Sequence, residues 1–193
     1  MARRSRKREK EIRRNRFILL SCISIILIFI FLTKGKNDSV YADYKEEYLQ
    51  SAKPLAVAIG RKYDLYPSVV LAQSALESNW GTSKLSTEYH NYFGIKGNKN
   101  DREVDLVTSE FVNGKEVKVK EPFRQYNSMR DSFIHYGELI SKAKRYKAVR
   151  DAKDYKEAAY AIKKSGYATD PKYAEKIIYI IENYNLSELD ENY

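Results

Sequence analysis

Glu77 is the single carboxylate of the run Gln73-Ser74-Ala75-Leu76-Glu77-Ser78-Asn79-Trp80-Gly81. Just ahead of it, Val69, Val70, Leu71, Ala72, Ala75 and Leu76 leave no wide polar face, so a helix here is enclosed by protein on most sides. A glutamate at the inner end of such a helix is desolvated. Burial disfavours the ionised form, and a carboxyl group held protonated near neutral pH is what a general acid requires. The competing reading is a glutamate turned outward at a helix end, the usual place for this residue type.

A second acid lies where the chain alternates as a strand does. Glu103 to Lys120 contains two alternating runs separated by Asn113-Gly114, a strong hairpin signal. A two-residue turn there sets Val112 opposite Lys115, Glu110 opposite Val117 and Thr108 opposite Val119, all on one side of a two-stranded ribbon. Phe111, Ser109 and Val107 fall on the other side with Glu116, Lys118 and Lys120. Glu110 is then a carboxylate on the more apolar face, whereas a register one residue away turns it to solvent. His90 and His135 lack Cys or acidic companions at ligand spacing, so no metal is expected. No phosphate-binding glycine loop occurs, and no cofactor is expected.

The elements that must position these acids are mostly helical, which makes the fold class α+β with a small hairpin lobe. Asp43 to Ala52 reads as helix, and Pro54 predicts a kink or a new first turn. Pro67 opens the buried helix and Gly81 closes it. Ser128 with Asp131 resembles a capping box before a helix of about fourteen residues using Phe133, Ile134 and Ile140. Another helix follows Asp154, with Ala158, Ala159 and Ile162 inside and a stop at Gly166. Asp170-Pro171 reads as an N-cap and first helical position before Ala174, Ile177, Ile178 and Ile181.

Charge divides the chain sharply. The first sixteen residues hold nine Lys or Arg and two Glu, which accounts for +7 of the net +9, and the remainder from Lys34 is nearly neutral. The high pI is therefore no argument for a nucleic-acid partner. Residues 17–33, Phe17 to Thr33, are seventeen uncharged residues dominated by Ile, Leu and Phe, long enough for one short transmembrane helix. The basic flank, residues 1–16, would stay in the cytoplasm as a tail and place everything after Thr33 outside the cell membrane. The rival is a cleaved signal peptide ending at Val40-Tyr41-Ala42, although Lys34, Lys36 and Asp38 make its spacer long and charged. Residues 34–42 read as a linker, 43–187 as one compact domain and 188–193 as a C-terminal tail. Cys22 is the only cysteine, so the exported domain relies on packing and contains no internal disulfide.

Several separate motifs occur in one order: Pro67 to Gly81, then Asn91-Tyr92-Phe93-Gly94-Ile95-Lys96-Gly97, Phe123-Arg124-Gln125-Tyr126, and Gly166-Tyr167-Ala168-Thr169-Asp170-Pro171-Lys172-Tyr173-Ala174. Over about Glu47 to Tyr184 the chain resembles the bacterial peptidoglycan endo-β-N-acetylglucosaminidases, a glycoside hydrolase family with a lysozyme-like fold. The resemblance implies that Glu77 is the catalytic acid and Tyr167 the tyrosine near the reacting sugar. The family's second acidic residue falls on Glu110, with Glu103, Asp105 and Glu116 as competitors. Asn91, Tyr92, Phe93, Tyr126 and Asp170 are the implied substrate-binding residues, and His90 stands where the family often has an asparagine. Cleaving a glycosidic bond needs an acid for the leaving oxygen and a base or negative charge for an oxocarbenium-like transition state. Glu110 could activate water, giving inversion, or the substrate's 2-acetamido group could attack with Tyr167 positioning the sugar. Trp80 reads as a packing wall that keeps Glu77 dry. The expected protein is a single-pass, membrane-anchored hydrolase of the glycan strands of peptidoglycan, facing the cell wall. A lytic transglycosylase or muramidase and a non-catalytic glycan-binding scaffold are the alternatives.

Overall fold

A computed structural model describes residues 44–98, 102–112 and 115–191, the side chains of 110–112 and 116 excepted. The chain divides into two units, Met1–Lys45 and Glu46–Tyr193. The expected membrane segment Phe17 to Thr33 and the linker 34–42 lie outside the described residues. Among those described, no helix is long and apolar enough to cross a membrane.

Helix α1 (44–63) runs straight through Pro54, where the sequence predicts a break. Its buried face is Tyr48, Leu49, Ala52, Ala56 and Ile59, while Pro54 is on the exposed face. Burial of five core side chains, at roughly 1.5–3 kcal/mol for each large one, exceeds the ~3 kcal/mol that an interior proline costs. Helix α1 meets α4 (Met129–Lys142) at Gly137, where a Cβ would sit 2.4 Å from the Tyr63 ring and 2.8 Å from Ile59. A glycine in mid-helix is explained by that close approach.

Helix α2 (Pro67–Glu77) is the centre of the unit, with every residue from Pro67 to Ala75 buried. It packs against α6 (Tyr155–Lys164) and α7 (Tyr173–Asn183), and against a 3-10 turn at Leu186–Asp190. No side chain of its own caps α2. Instead Asp190 reaches back, its carboxylate accepting the Ser68 N–H at 3.0 Å and the Ser68 hydroxyl at 2.6 Å. The fold therefore extends through Asp190, past the boundary expected at Ser187. Short helices α3 (Lys84–Tyr89) and α5 (Lys147–Arg150) complete the helical part with a 3-10 turn at Lys144–Tyr146.

Where caps are local, the structure follows the sequence closely. Ser128 accepts the Asp131 N–H at the start of the fourteen-residue α4, and Asp154 accepts the Glu157 N–H at the start of α6. Gly166, with φ +74, follows α6. Two ends differ. Helix α2 stops at Glu77 itself, and Asn79, Trp80 and Gly81 are three successive left-handed residues (φ 49, 56 and 75). Helix α7 starts at Tyr173, because Asp170 takes the Lys172 N–H in a turn at 2.8 Å and delays the helix by two residues.

Strands β1 (Glu103–Val112) and β2 (Lys115–Arg124) form one antiparallel ribbon. Its register pairs Val112 with Lys115, Glu110 with Val117 and Thr108 with Val119, as a two-residue connection requires. Asn113 and Gly114 themselves lie outside the described residues. At its base the ribbon joins the helical part through Arg124 N–H to Ile95 C=O and Gly97 N–H to Pro122 C=O, both 3.0 Å.

Candidate active site

Glu77 lies at the last position of α2, half-buried at the mouth of a cleft of about 290 Å³ rather than enclosed. The neighbours of its two oxygens differ. Oε1 accepts a short hydrogen bond from the Tyr173 hydroxyl, brought in by the first turn of α7. Oε2 faces Gly94, where an added Cβ would stand 3.2 Å away. Gly94 has φ +62, a conformation suited to glycine, and a side chain there would crowd Oε2.

Behind Tyr173 the polar chain continues into the core. Gln73, one turn before Glu77 and fully buried, donates from Nε2 to the Tyr173 oxygen at 3.0 Å. The Tyr136 hydroxyl, from α4, donates to Gln73 Oε1 at 2.5 Å. Three helices thus fix one carboxylate through a run of buried, mutually satisfied groups, the arrangement in which hydrogen bonds specify geometry most strongly. Burial, followed by the nearby Glu77 charge, holds the Tyr173 and Tyr167 hydroxyls well above the ordinary phenol range. Both remain neutral donors.

Tyr167 lines the same cleft, and its hydroxyl donates to the Phe93 carbonyl at 2.8 Å. It thereby pins the Phe93-Gly94 backbone beside the acid, and its ring stacks on Tyr173 at 6.1 Å between centroids. Asp170 is the third expected residue on the cleft wall. Burial pushes its carboxyl up, but the Lys176 ammonium and the Lys172 N–H outweigh this and leave it below the usual range.

Of the other expected binding residues, Phe93 meets the cleft and the rest are placed elsewhere. Asn91 is fully buried, and its amide bonds the Ile95 carbonyl (2.9 Å), the Arg124 carbonyl (2.8 Å) and the N–H groups of Phe93 and Ile95. That is a clamp joining the Phe93 loop to the base of β2. The Phe93 ring is also fully buried, stacked on Tyr136 at 4.0 Å, so the residue meets the cleft with no free aromatic face. Tyr92 packs on Tyr48 and Phe133, and the Tyr126 hydroxyl shares a 2.6 Å hydrogen bond with His135 Nδ1. Trp80 lies against Tyr184 and Tyr48 and is not part of the cleft wall. His90 is the left-handed C-cap of α3.

On the ribbon side, Thr108, Ser109 and Phe123 line the cleft. Of the competing acids, Glu103 lies against Gly97 and Asp105 pairs with Lys120 at 3.0 Å, and neither reaches the cleft. The Glu110 and Glu116 side chains lie outside the described set. Tyr173 and Gln73, which hold the acid, were not among the expected site residues. The signal available in the sequence was the helical spacing of Gln73 and Glu77, four residues apart on one face.

A half-buried carboxyl group at a helix end, facing an antiparallel ribbon across a polar cleft in a mainly helical unit, defines a carboxylate-based glycosidase of lysozyme-like architecture. The sequence model of the family described as mannosyl-glycoprotein endo-beta-N-acetylglucosaminidase matches residues 53–186, and the chain belongs to this family of glycoside hydrolases. It is 35% identical to the exo-glucosaminidase LytG of Bacillus subtilis, over 99% of this chain and 71% of that protein. It is 41% identical to a probable N-acetylmuramidase of Lactococcus lactis, over 75% of this chain but only 34% of the relative. Among solved structures, the catalytic domain of the autolysin Auto from Listeria monocytogenes superposes with a TM-score of 0.66 at 34% identity, covering 82% of this chain and 97% of that one.

Proposed function

We propose that this peptidoglycan hydrolase cuts the β-1,4 bond between N-acetylglucosamine and N-acetylmuramic acid. The observation that carries the reading is Glu77 on the cleft wall, with Oε1 tied to Tyr173 and Oε2 beside Gly94, which has no side chain. An acid proton on Oε2 is placed to move to the glycosidic oxygen as the bond breaks, while Tyr173 holds the carboxyl plane still. Glu110 pairs with Val117 on the ribbon, next in the chain to Thr108 and Ser109, which line the cleft. From there it is the candidate to activate water on the opposite sugar face, giving inversion; the substrate's 2-acetamido group is the alternative nucleophile. Tyr167 keeps the floor of the site in register through Phe93.

The names of the relatives divide between glucosaminidase and muramidase, so the bond itself is the point to test. Purified protein incubated with peptidoglycan should release products with N-acetylglucosamine at the reducing end. Muramic acid or anhydro-muramic ends would overturn the assignment. Anchoring by Phe17 to Thr33 is part of the same proposal, supported by the basic flank and uncharged run. The full chain should then sediment with membranes, and a mature N-terminus at Asp43 would show processing instead.

A further inference from the structure

One buried amide links the two walls of the cleft. A side-chain amide has room for two donated and two accepted hydrogen bonds, and Asn91 makes all four inside the protein. Oδ1 accepts the Phe93 and Ile95 N–H groups at 3.3 and 3.1 Å, which fixes the loop around Gly94. Nδ2 donates to the Ile95 carbonyl at 2.9 Å and to the carbonyl of Arg124, the last residue of β2, at 2.8 Å. The Asn91 backbone N–H donates to the Leu85 carbonyl of α3 at 3.1 Å, so the amide itself is anchored on the helical side. The residue is fully buried and does not line the cleft, and its side chain has no donor or acceptor left for a sugar.

What this amide joins are the two sides of the reaction. On one side, Gly94 stands against Glu77 Oε2 and the Phe93 carbonyl accepts from Tyr167. On the other, Arg124 continues β2 from Phe123, which lines the cleft, and β2 pairs with the strand that carries Thr108 and Ser109. Two backbone hydrogen bonds, from Arg124 and Gly97, run alongside, and the Lys96–Glu121 pair at 3.4 Å is largely solvent-facing and adds little. We propose that Asn91 is a positioning residue for the reaction at Glu77. Its amide makes the Gly94 loop and the base of the ribbon move as one body, and so sets the distance between the acid and the groups that the ribbon brings over it. A substrate that orders the ribbon then also settles the backbone beside Oε2. The inference rests on Glu77 as the acid and holds for whichever glycosidic bond is cut.

The test compares kcat and KM of full-length variants on soluble peptidoglycan strands. Asn91→Asp keeps an oxygen for the Phe93 and Ile95 N–H groups but sets a second oxygen, in place of the donor, against the Ile95 and Arg124 carbonyls, which cuts the tie to β2. Its kcat should fall about tenfold while KM moves less than about twofold, because alignment is lost and no substrate contact is. The control is Ser132→Ala, which removes the acceptor of the Tyr92 N–H (3.1 Å) and loosens the same loop without touching β2. Its kcat should stay within about twofold of the parent. An unchanged kcat in Asn91→Asp, a KM that rises as far as kcat falls, or an equal loss in Ser132→Ala overturns the proposal. Hydrogen exchange of the Glu77→Gln protein, with Asn91 intact, tests the coupling even where Asn91→Asp does not fold. The amides of Phe93, Ile95, Gly97 and Arg124 should open together with those of the ribbon, and bound glycan strands should slow all of them by a similar factor. Slowing of the ribbon amides alone, or of none, overturns the coupling and leaves the acid standing. Full turnover by folded Glu77→Gln overturns the acid itself, and the coupling with it.

Discussion

Glu77 and the ribbon strand β1 line one cleft, yet they are held in opposite ways. The acid ends a helix buried from Pro67 to Ala75 and is tied through Tyr173, Gln73 and Tyr136 to two further helices. The ribbon has only two strands, and the hydrogen bonds joining it to the helical part lie at its base. Val107, midway along β1, is 68% exposed. A two-stranded ribbon is marginal by itself, so its local stability should lie well below that of α2. The Glu77 carboxyl is set in advance, whereas the opposite wall depends on an element that substrate could order.

The sharpest test of this contrast is to remove each acid in turn. Glu77→Gln should retain the fold, since the amide oxygen still accepts from Tyr173, and should lower turnover by about 10²–10⁴-fold. Near-normal turnover in a folded variant would remove Glu77 from the mechanism. Glu110→Gln distinguishes the two nucleophiles. If Glu110 activates water, the loss should approach that of Glu77→Gln, and azide should rescue it with inversion at the anomeric carbon. A mild loss with a retained product would assign the acetamido route, and full activity would show that the ribbon's second acid lies elsewhere.

Tyr173→Phe probes how far the buried chain matters for the acid. It removes the donor to Oε1 and leaves the Gln73 amide nitrogen without its only described acceptor. Stability should fall by about 1–3 kcal/mol, the cost of a buried group left unpaired. Turnover should fall by roughly tenfold, through a looser acid rather than a missing one, with kcat changing more than KM. An unchanged kcat in a destabilised protein would make the chain a structural device only.

The elements that were legible in the sequence share a physical property: their signals are local. Ser128 before α4, Asp154 before α6 and the register set by Asn113-Gly114 each act over two to four residues or a tight turn. Helix α1 resisted because its core face outweighs Pro54, a balance decided by partners distant in sequence. The site divides in the same way. Glu77 could be read from an apolar run ending in one acid, but its clamp could not. Tyr173 lies 96 residues from Glu77, Tyr136 lies 63 from Gln73 and Asp190 lies 122 from Ser68. With seventeen tyrosines in the chain, composition alone does not mark three of them as the ones behind the acid. The family resemblance implies Asn91 as a binding residue, and the four backbone groups its buried amide satisfies are, like the clamp on Glu77, partners that sequence does not display.

The smallest expected effect concerns the same tyrosines in the absence of substrate. Tyr136, Tyr167 and Tyr173 all have hydroxyls raised above the ordinary value of 10.0, first by burial and, for Tyr167 and Tyr173, next by the Glu77 charge. In the unfolded chain these phenols lose their protons near pH 10, while in the folded protein they keep them, so the native state binds more protons above that pH. Stability therefore is fully retained below about pH 10 and declines as pH rises towards the folded values. The ribbon contributes no tyrosine to this decline, because neither strand contains one. Urea unfolding from pH 8 to 11, followed by circular dichroism, should show the midpoint holding and then dropping, with phenolate absorbance from the buried set emerging only on unfolding. Phenolate signal from all seventeen tyrosines near pH 10 in the still-folded protein would mean that the chain behind Glu77 is open to water, and the contrast between rigid acid and loosely held ribbon would lose its foundation.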